Sequence, residues 1–316
     1  MDLGQAIRVA AERIRPYVRE TPVEEAPELG RAAGCRVHLK LENIQHTGSF
    51  KFRGAMNKLL SLEPDQLQRG VVAASTGNHG AAVAQGAREL GTRAVIFAPE
   101  TADAGKLEAM RQRGADVRCQ GDDCVVAEAC AREFAQAQGL TYISPYNDRE
   151  VIAGQGTIGV ELERQLGRFD AVITSVGGGG LISGVGTYLK SVWPELLVIG
   201  ASPRNSAVMH ASLEAGELVQ RESLPTLSDG TAGGVEPGSL TFELCQGLID
   251  EFVLVGEDEI GAGVRCVLEH HHLLVEGAAG VAVAALAAAA PRLEGLHVAV
   301  VLCGANIDAQ VLRGLL

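Results

Sequence analysis

Thr47-Gly48-Ser49-Phe50-Lys51-Phe52-Arg53-Gly54-Ala55 sets a lysine between small residues and two phenylalanines at a point where a loop enters a helix. Upstream, Val37, Leu39 and Leu41 alternate as a strand does, and downstream Ala55-Met56-Asn57-Lys58-Leu59-Leu60 reads as helix. An amine held against aromatic rings in a partly dry pocket loses the solvation that keeps it protonated, so Lys51 gains nucleophilic character. Schiff-base chemistry needs such an amine. The plain alternative is a solvated lysine on the first turn of a helix, and this stretch alone does not separate the two.

Composition bounds the answer. A chain of 316 residues, 47% of them hydrophobic, can bury a large core and has the length of about two domains. It contains no run of about eighteen apolar residues, and Met1-Asp2-Leu3-Gly4-Gln5 lacks a charged-then-apolar leader pattern. A soluble, cytoplasmic protein with no membrane partner is expected. A formal charge of −12 argues against nucleic acid, which is bound by clustered Lys and Arg. Cys35, Cys119, Cys124, Cys130, Cys245, Cys266 and Cys303 show no CxxC pairing and read as reduced thiols. In His270-His271-His272, successive side chains on a helix diverge by about 100°, so the three cannot converge on one ion. No metal site is expected.

Working outward, strands alternate with helices. Ile7, Ala10, Ala11 and Ile14 have helical spacing within 5–19, ahead of the Thr21-Pro22 breaker. Strands are expected at 70–74, 94–97 and 116–119, with helices at 81–90, 104–113 and 125–138, and Tyr142-Ile143-Ser144 precedes the turn Pro145-Tyr146-Asn147-Asp148. The second half repeats the theme with strands at 171–174, 197–200 and 297–302, and an alanine-rich helix over 278–290 with Pro291 past its end. Such alternation predicts an α/β fold of parallel sheets covered on both faces.

Two loops add chemistry. Ile173-Thr174-Ser175-Val176-Gly177-Gly178-Gly179-Gly180-Leu181-Ile182-Ser183 is a strand running into four glycines and then a helix. Without Cβ atoms, successive N–H groups can crowd around an anion, and the helix N-terminus favours negative charge. Phosphate is the expected guest, although no Lys-Ser/Thr pair makes this a P-loop and the spacing is not GxGxxG. The alternative is a turn required by strand–helix packing, which four glycines serve at a cost in chain entropy and with no packing gain. Ser75-Thr76-Gly77-Asn78-His79-Gly80 occupies the same strand-to-helix position and suits a carboxylate or the polar edge of a ring, or a simple helix cap. The last strand ends in Cys303-Gly304-Ala305-Asn306-Ile307-Asp308, at the carboxyl end where ligands gather in doubly wound sheets. Burial as a structural thiol is the commoner fate of such a cysteine.

Together with Val151-Ile152-Ala153-Gly154-Gln155-Gly156-Thr157, these four motifs resemble, in order and spacing from about residue 5 to the end, the fold-type II pyridoxal-phosphate enzymes of the threonine/serine dehydratase and serine racemase group. The resemblance implies two three-layer, parallel-sheet domains with pyridoxal 5'-phosphate in the cleft between them. The larger would comprise 1–68 and 148–316, and a small mobile one 69–147. It implies that Lys51 carries the cofactor as a Schiff base, Phe50 packs beside the ring, Asn78 bonds the ring hydroxyl, Gly177, Gly178, Gly179, Gly180 and Leu181 hold the phosphate, and Cys303 faces the ring nitrogen. Ser49, Thr76, Gly77, Asn78 and His79 would surround the substrate, with Thr76 as a second catalytic group. A homodimer acting on a small amino acid is implied as well.

The chemistry that follows is β-elimination: loss of water from a β-hydroxy amino acid such as threonine or serine, then hydrolysis to a 2-oxo acid and ammonia. A thiol, with a reference pKa near 8.5, protonates a pyridine nitrogen poorly, which disfavours transamination. Alternatives are a substrate derived from hydroxyectoine, 3-hydroxyaspartate, a racemase reaction, or a non-catalytic binding module. Racemases of the group carry serine where Thr76 stands and bind a divalent cation through an acidic pair, here replaced by Ser202 and Val208. The chain stops thirteen residues after Cys303, so no regulatory domain is expected. The glycine-rich segment Ser228 to Ser239 is expected either to shape the side-chain pocket or to be a plain connection.

Overall fold

The computed structural model describes residues 1–316 and contains two sheets. The strands are β1 (Val23–Glu25), β2 (Arg36–Lys40), β3 (Val71–Ala74), β4 (Ala94–Ala98), β5 (Asp116–Cys119), β6 (Thr141–Tyr142), β7 (Ala171–Ser175), β8 (Leu197–Pro203), β9 (Glu251–Val255) and β10 (His297–Val301). The larger sheet runs β1-β2-β10-β7-β8-β9 and the smaller β5-β4-β3-β6. All pairings are parallel except that of the edge strand β1, which runs antiparallel to β2 with Glu24 opposite Leu39.

Burial explains the apolar runs. Every residue of β7 is buried, as expected of a central parallel strand covered on both faces. In the smaller sheet the period of two is visible: Val71 and Ala73 join one core while Val72 joins Val95, Phe97, Ala131 and Ala135 on the opposite face. The helix Lys51–Leu60 sends Phe52, Ala55, Met56 and Leu59 into the first of these cores, beside Val71 and Ala73.

Some expectations needed correction. The first helix stops at Ile14, and Pro291 lies within the last turns of the helix Gly277–Leu293 instead of after it. A proline there forfeits one hydrogen bond, to the carbonyl of Ala287, and Ala287 is exposed, so the turn survives. The sequence pattern does not delineate the half-buried strand β9 or the helices Arg149–Leu166 and Glu257–His271, and His270 and His271 finish the last of these.

At Gly154 and Gly184 three helices meet backbone to backbone. The helix Arg149–Leu166 lies between Lys51–Leu60 and Gly180–Val192. A Cβ on Gly154 would fall 2.6 Å from the Arg53 carbonyl oxygen, and one on Gly184 would fall 2.4 Å from the Ile152 carbonyl and 2.5 Å from the Gly156 nitrogen. Beside this contact lies a buried ion network. Arg53 is bidentate to Glu42 (2.8 and 2.8 Å) and to Glu161 (2.7 and 2.9 Å), and Lys40 donates to Glu161 at 2.6 Å and to the Thr21 carbonyl at 2.7 Å. Both cations are fully buried and each is paired, as low-dielectric surroundings require. Two residues along the helix, Lys51 therefore sits on a fixed platform.

Gly184→Ala tests the helix contact. Alanine gains about 1 kcal/mol of helix propensity, but its methyl meets backbone atoms that cannot rotate away, at a cost of about 3 kcal/mol. A net loss of about 2 kcal/mol should appear as a lower urea midpoint with an unchanged slope, and an unchanged midpoint would contradict the packing described.

Candidate active site

Two loops join to place the lysine. Ser49 forms an isolated antiparallel bridge with Gly304, the Phe50 N–H donates to the Cys303 carbonyl at 3.0 Å, and the Ala305 N–H donates to the Gly48 carbonyl at 2.9 Å. The loop after β10 thus brings Cys303 alongside Lys51, although 252 positions separate them in the chain. Lys51 Nζ donates to the Pro145 carbonyl at 2.9 Å and lies 5.2 Å from the centre of the Phe50 ring. Of the two flanking phenylalanines only Phe50 faces the amine, because Phe52 packs edge-on to His46 in the neighbouring core. Burial lowers the Lys51 pKa to about 8, opposed in part by Cys303 and Glu276.

Phe50, Lys51, Asn78, Gly177 to Leu181 and Cys303 line one cleft. None of the backbone N–H groups of Gly177, Gly178, Gly179, Gly180 and Leu181 has a protein acceptor. Five consecutive donors at a helix N-terminus make a site for an anion with several oxygens. The glycines also prove necessary for packing, contrary to expectation. A Cβ on Gly178 would lie 2.4 Å from the Tyr146 ring and one on Gly177 2.8 Å from the Thr231 carbonyl, while Gly179 has φ +84°. Both readings of the loop hold together, since the missing side chains let Tyr146 and Thr231, which also line the cleft, approach the loop while the donors remain unpaired.

The second loop enters the helix Asn78–Glu89. The N–H groups of Thr76, Asn78, His79 and Gly80 have no protein acceptor, and a Cβ on Gly77 would meet nothing within 4 Å. The Ser49 hydroxyl is buried without a partner. His79 is buried, its Nε2 is 2.9 Å from the Ile143 carbonyl, and burial together with Lys51 lowers its pKa to about 3. A neutral ring that donates from Nε2 leaves Nδ1 as an acceptor, so His79 can serve an anion only through its backbone N–H.

Several site residues escaped the sequence reading. Glu276, 3% exposed, stands in the cleft at the start of the helix Gly277–Leu293. Burial raises its pKa, while the Asn78 amide (2.9 and 3.0 Å) and the Asn306 N–H (3.0 Å) pull the other way. An acid directly before an apolar helix was the available signal, because carboxylates favour helix N-termini. Ser175, at the end of β7, donates to Cys303 Sγ at 3.5 Å, and burial raises the pKa of that thiol. Gly230 and Thr231, in the segment Ser228 to Ser239 that the sequence offered as either pocket-shaping or a plain connection, line the cleft. Ser202 donates to the Val176 carbonyl at 2.6 Å, and Val208 begins the helix Val208–Ala215.

These features fit a phosphorylated aldehyde cofactor: a desolvated amine, a cradle of unpaired N–H donors and a buried thiol share one cleft. The family described as "Pyridoxal-phosphate dependent enzyme" matches residues 14–304. The chain is 41% identical over 306 residues to the L-threonine ammonia-lyase of Thermotoga maritima, covering 97% of this chain and 76% of that one. Among solved structures it resembles the processed form of threonine deaminase isoform 2 from Solanum lycopersicum, with a TM-score of 0.94, 36% identity and coverage of 99% and 92%. It also resembles maize serine racemase, with a TM-score of 0.93, 30% identity and coverage of 98% and 95%. The chain therefore belongs to the pyridoxal-phosphate dependent enzymes, and pyridoxal phosphate is its cofactor.

Proposed function

We propose that this enzyme removes water from a β-hydroxy amino acid such as threonine or serine, giving a 2-oxo acid and ammonia. The observation that carries the reading is the Lys51 amine, desolvated to a pKa of about 8 and facing a donor-lined cleft. Similarity to a threonine ammonia-lyase and a threonine deaminase supports the reaction class. The N–H groups of Gly177 to Leu181 would take the phosphate, Phe50 would flank the ring, the Asn78 amide would meet the ring hydroxyl, and Cys303 would serve the ring nitrogen. Pyridoxal phosphate, when bound, supplies the electron sink that makes the substrate's Cα–H acidic.

The protein's own groups do the rest. The substrate carboxylate is held by the Ser49 hydroxyl and by the free N–H groups of Thr76, Asn78 and His79, around the open space at Gly77. Lys51 Nζ takes the α-proton and passes it to the β-hydroxyl, which leaves as water. The enamine that remains hydrolyses to the 2-oxo acid and ammonia. A buried, neutral Cys303 thiol offers the ring nitrogen little proton, which favours expulsion of the β-group over slower transamination. The Thr76 hydroxyl would stand beside the substrate, as the resemblance implies, and its methyl would narrow the approach of a proton to the opposite face, which would set racemisation below elimination.

No helix is long and apolar enough to cross a membrane, and all seven cysteines are unpaired thiols, in keeping with a cytoplasmic enzyme. The resemblance supports a homodimer and a mobile unit over 69–147.

A panel of L-threonine, L-serine, 3-hydroxyaspartate and a hydroxylated diamino acid, assayed for ammonia and 2-oxo acid, tests the reaction. Equimolar ammonia and 2-oxo acid from at least one member is expected, and D-enantiomer without ammonia would mark a racemase instead. The lysine makes a second prediction. Because burial lowers its pKa, the reactive neutral amine is present above the depressed value, so the rate at which apoprotein captures pyridoxal phosphate should rise with a midpoint near pH 8 and then level. A rate still climbing beyond pH 10 would mean an ordinary, solvated lysine.

A further inference from the structure

Asn78 is held from both sides. Its Nδ2 donates to both oxygens of Glu276, at 2.9 and 3.0 Å, and its Oδ1 accepts from Asn306 Nδ2 at 2.5 Å. Asn306 Nδ2 also donates to the Thr47 carbonyl at 2.8 Å. The Thr47 carbonyl can only accept, which turns Asn306 Nδ2 toward it and toward Asn78 Oδ1 and so leaves Asn78 Nδ2 as the donor to Glu276. The polarity of every link follows, and neither amide can turn over without setting acceptor against acceptor or donor against donor. The two hydrogens of an amide diverge too widely for both to reach one carboxylate, so one N–H of Asn78 points at Glu276 and the other is left for the cleft that Asn78 lines.

The fold is arranged around this carboxylate. The Asn306 N–H reaches its Oε2 at 3.0 Å, the Glu276 N–H donates to the Gly304 carbonyl at 2.9 Å, and a Cβ on Gly304 would fall 2.6 Å from it. The side chain is 3% exposed, and the nearest cationic groups, Lys51 and Lys106, form no hydrogen bond with it. A buried carboxylate without a paired cation is costly to keep. Here it has a task that an apolar residue of the same size could not perform.

We propose that Glu276 and Asn306 are positioning residues that lock the Asn78 amide with an N–H directed at the cofactor's ring oxygen. The inference rests on the assignment of Asn78 to that oxygen in the proposed function. An N–H aimed there stabilises the ionised oxygen, whereas a turned amide would present a carbonyl and repel it. Glu276 and Asn306 thus act through Asn78 on how tightly the cofactor is held and on the protonation of its ring.

Glu276→Gln, Asn306→Ala and Asn78→Ala are compared with wild type by titrating apoprotein with pyridoxal phosphate and by following the visible absorption of each holoenzyme with pH. Each single variant should weaken cofactor binding about fivefold to tenfold, the loss of one positioned hydrogen bond, and should move the pH midpoint of the absorption band. In the Asn78→Ala background, the Glu276 and Asn306 substitutions should have no further effect, since the link they act through is gone. Wild-type affinity and spectrum in Asn306→Ala, an exposed position expected to fold, would overturn the proposal, as would additive effects in the double variants. If wild-type protein forms no visible band, or Lys51→Ala keeps one, the underlying reading fails and this inference falls with it.

Discussion

The site exists because three helices can approach one another backbone to backbone. Gly154 and Gly184 leave the space that lets the helix Arg149–Leu166 touch both the lysine helix and the helix that follows the glycine loop. A side chain at either position would push those two helices apart by its own thickness. Lys51 would then no longer face the N–H groups of Gly177 to Leu181. The buried Arg53, Glu42, Glu161 and Lys40 network ties the lysine helix electrostatically to the helix Arg149–Leu166 and to the end of β2, since each buried charge is satisfied only while those elements keep their places.

Upon that platform the charges are distributed with a purpose. Two helix N-termini, preceded by the loops at 75–77 and 177–179, carry unpaired N–H groups, and Asn78 of the one lines the same cleft as Gly177 to Leu181 of the other, a setting that favours anions. Between them the amine of Lys51 has lost enough solvation to be partly neutral near physiological pH. The thiol of Cys303 and the carboxylate of Glu276 face it from the loop after β10 and the helix beside it. Opposite protonation demands meet here, as they do wherever an active site must both hold an anion and move a proton.

What could be read in advance was whatever lies close together in the chain. The lysine with its phenylalanines, the four glycines and the run Ser75 to Gly80 each carry a local pattern, and the strands β3, β4, β7 and β10 stood out because central parallel strands are uninterrupted apolar runs. Glu276 did not stand out, and Ser175 and Asn306 lay inside quoted motifs with no role of their own, because each acquires its meaning from a partner more than a hundred residues away. The same holds for Tyr146, whose ring fills the space the glycines leave and so turns an apparent entropy cost into a packing contact. His79 looked like a ligand for an anion. Its hydrogen bond to the Ile143 carbonyl, invisible in sequence, makes its free nitrogen an acceptor.

The central claim is that one buried amine, that of Lys51, carries the cofactor covalently. Reduction of the cofactor-loaded protein with borohydride, followed by proteolysis and mass spectrometry, reads the attachment point directly. A single pyridoxyl phosphate adduct on Lys51 is the predicted result. An adduct at another lysine, or none at all in protein that binds the cofactor and turns over substrate, would contradict the account.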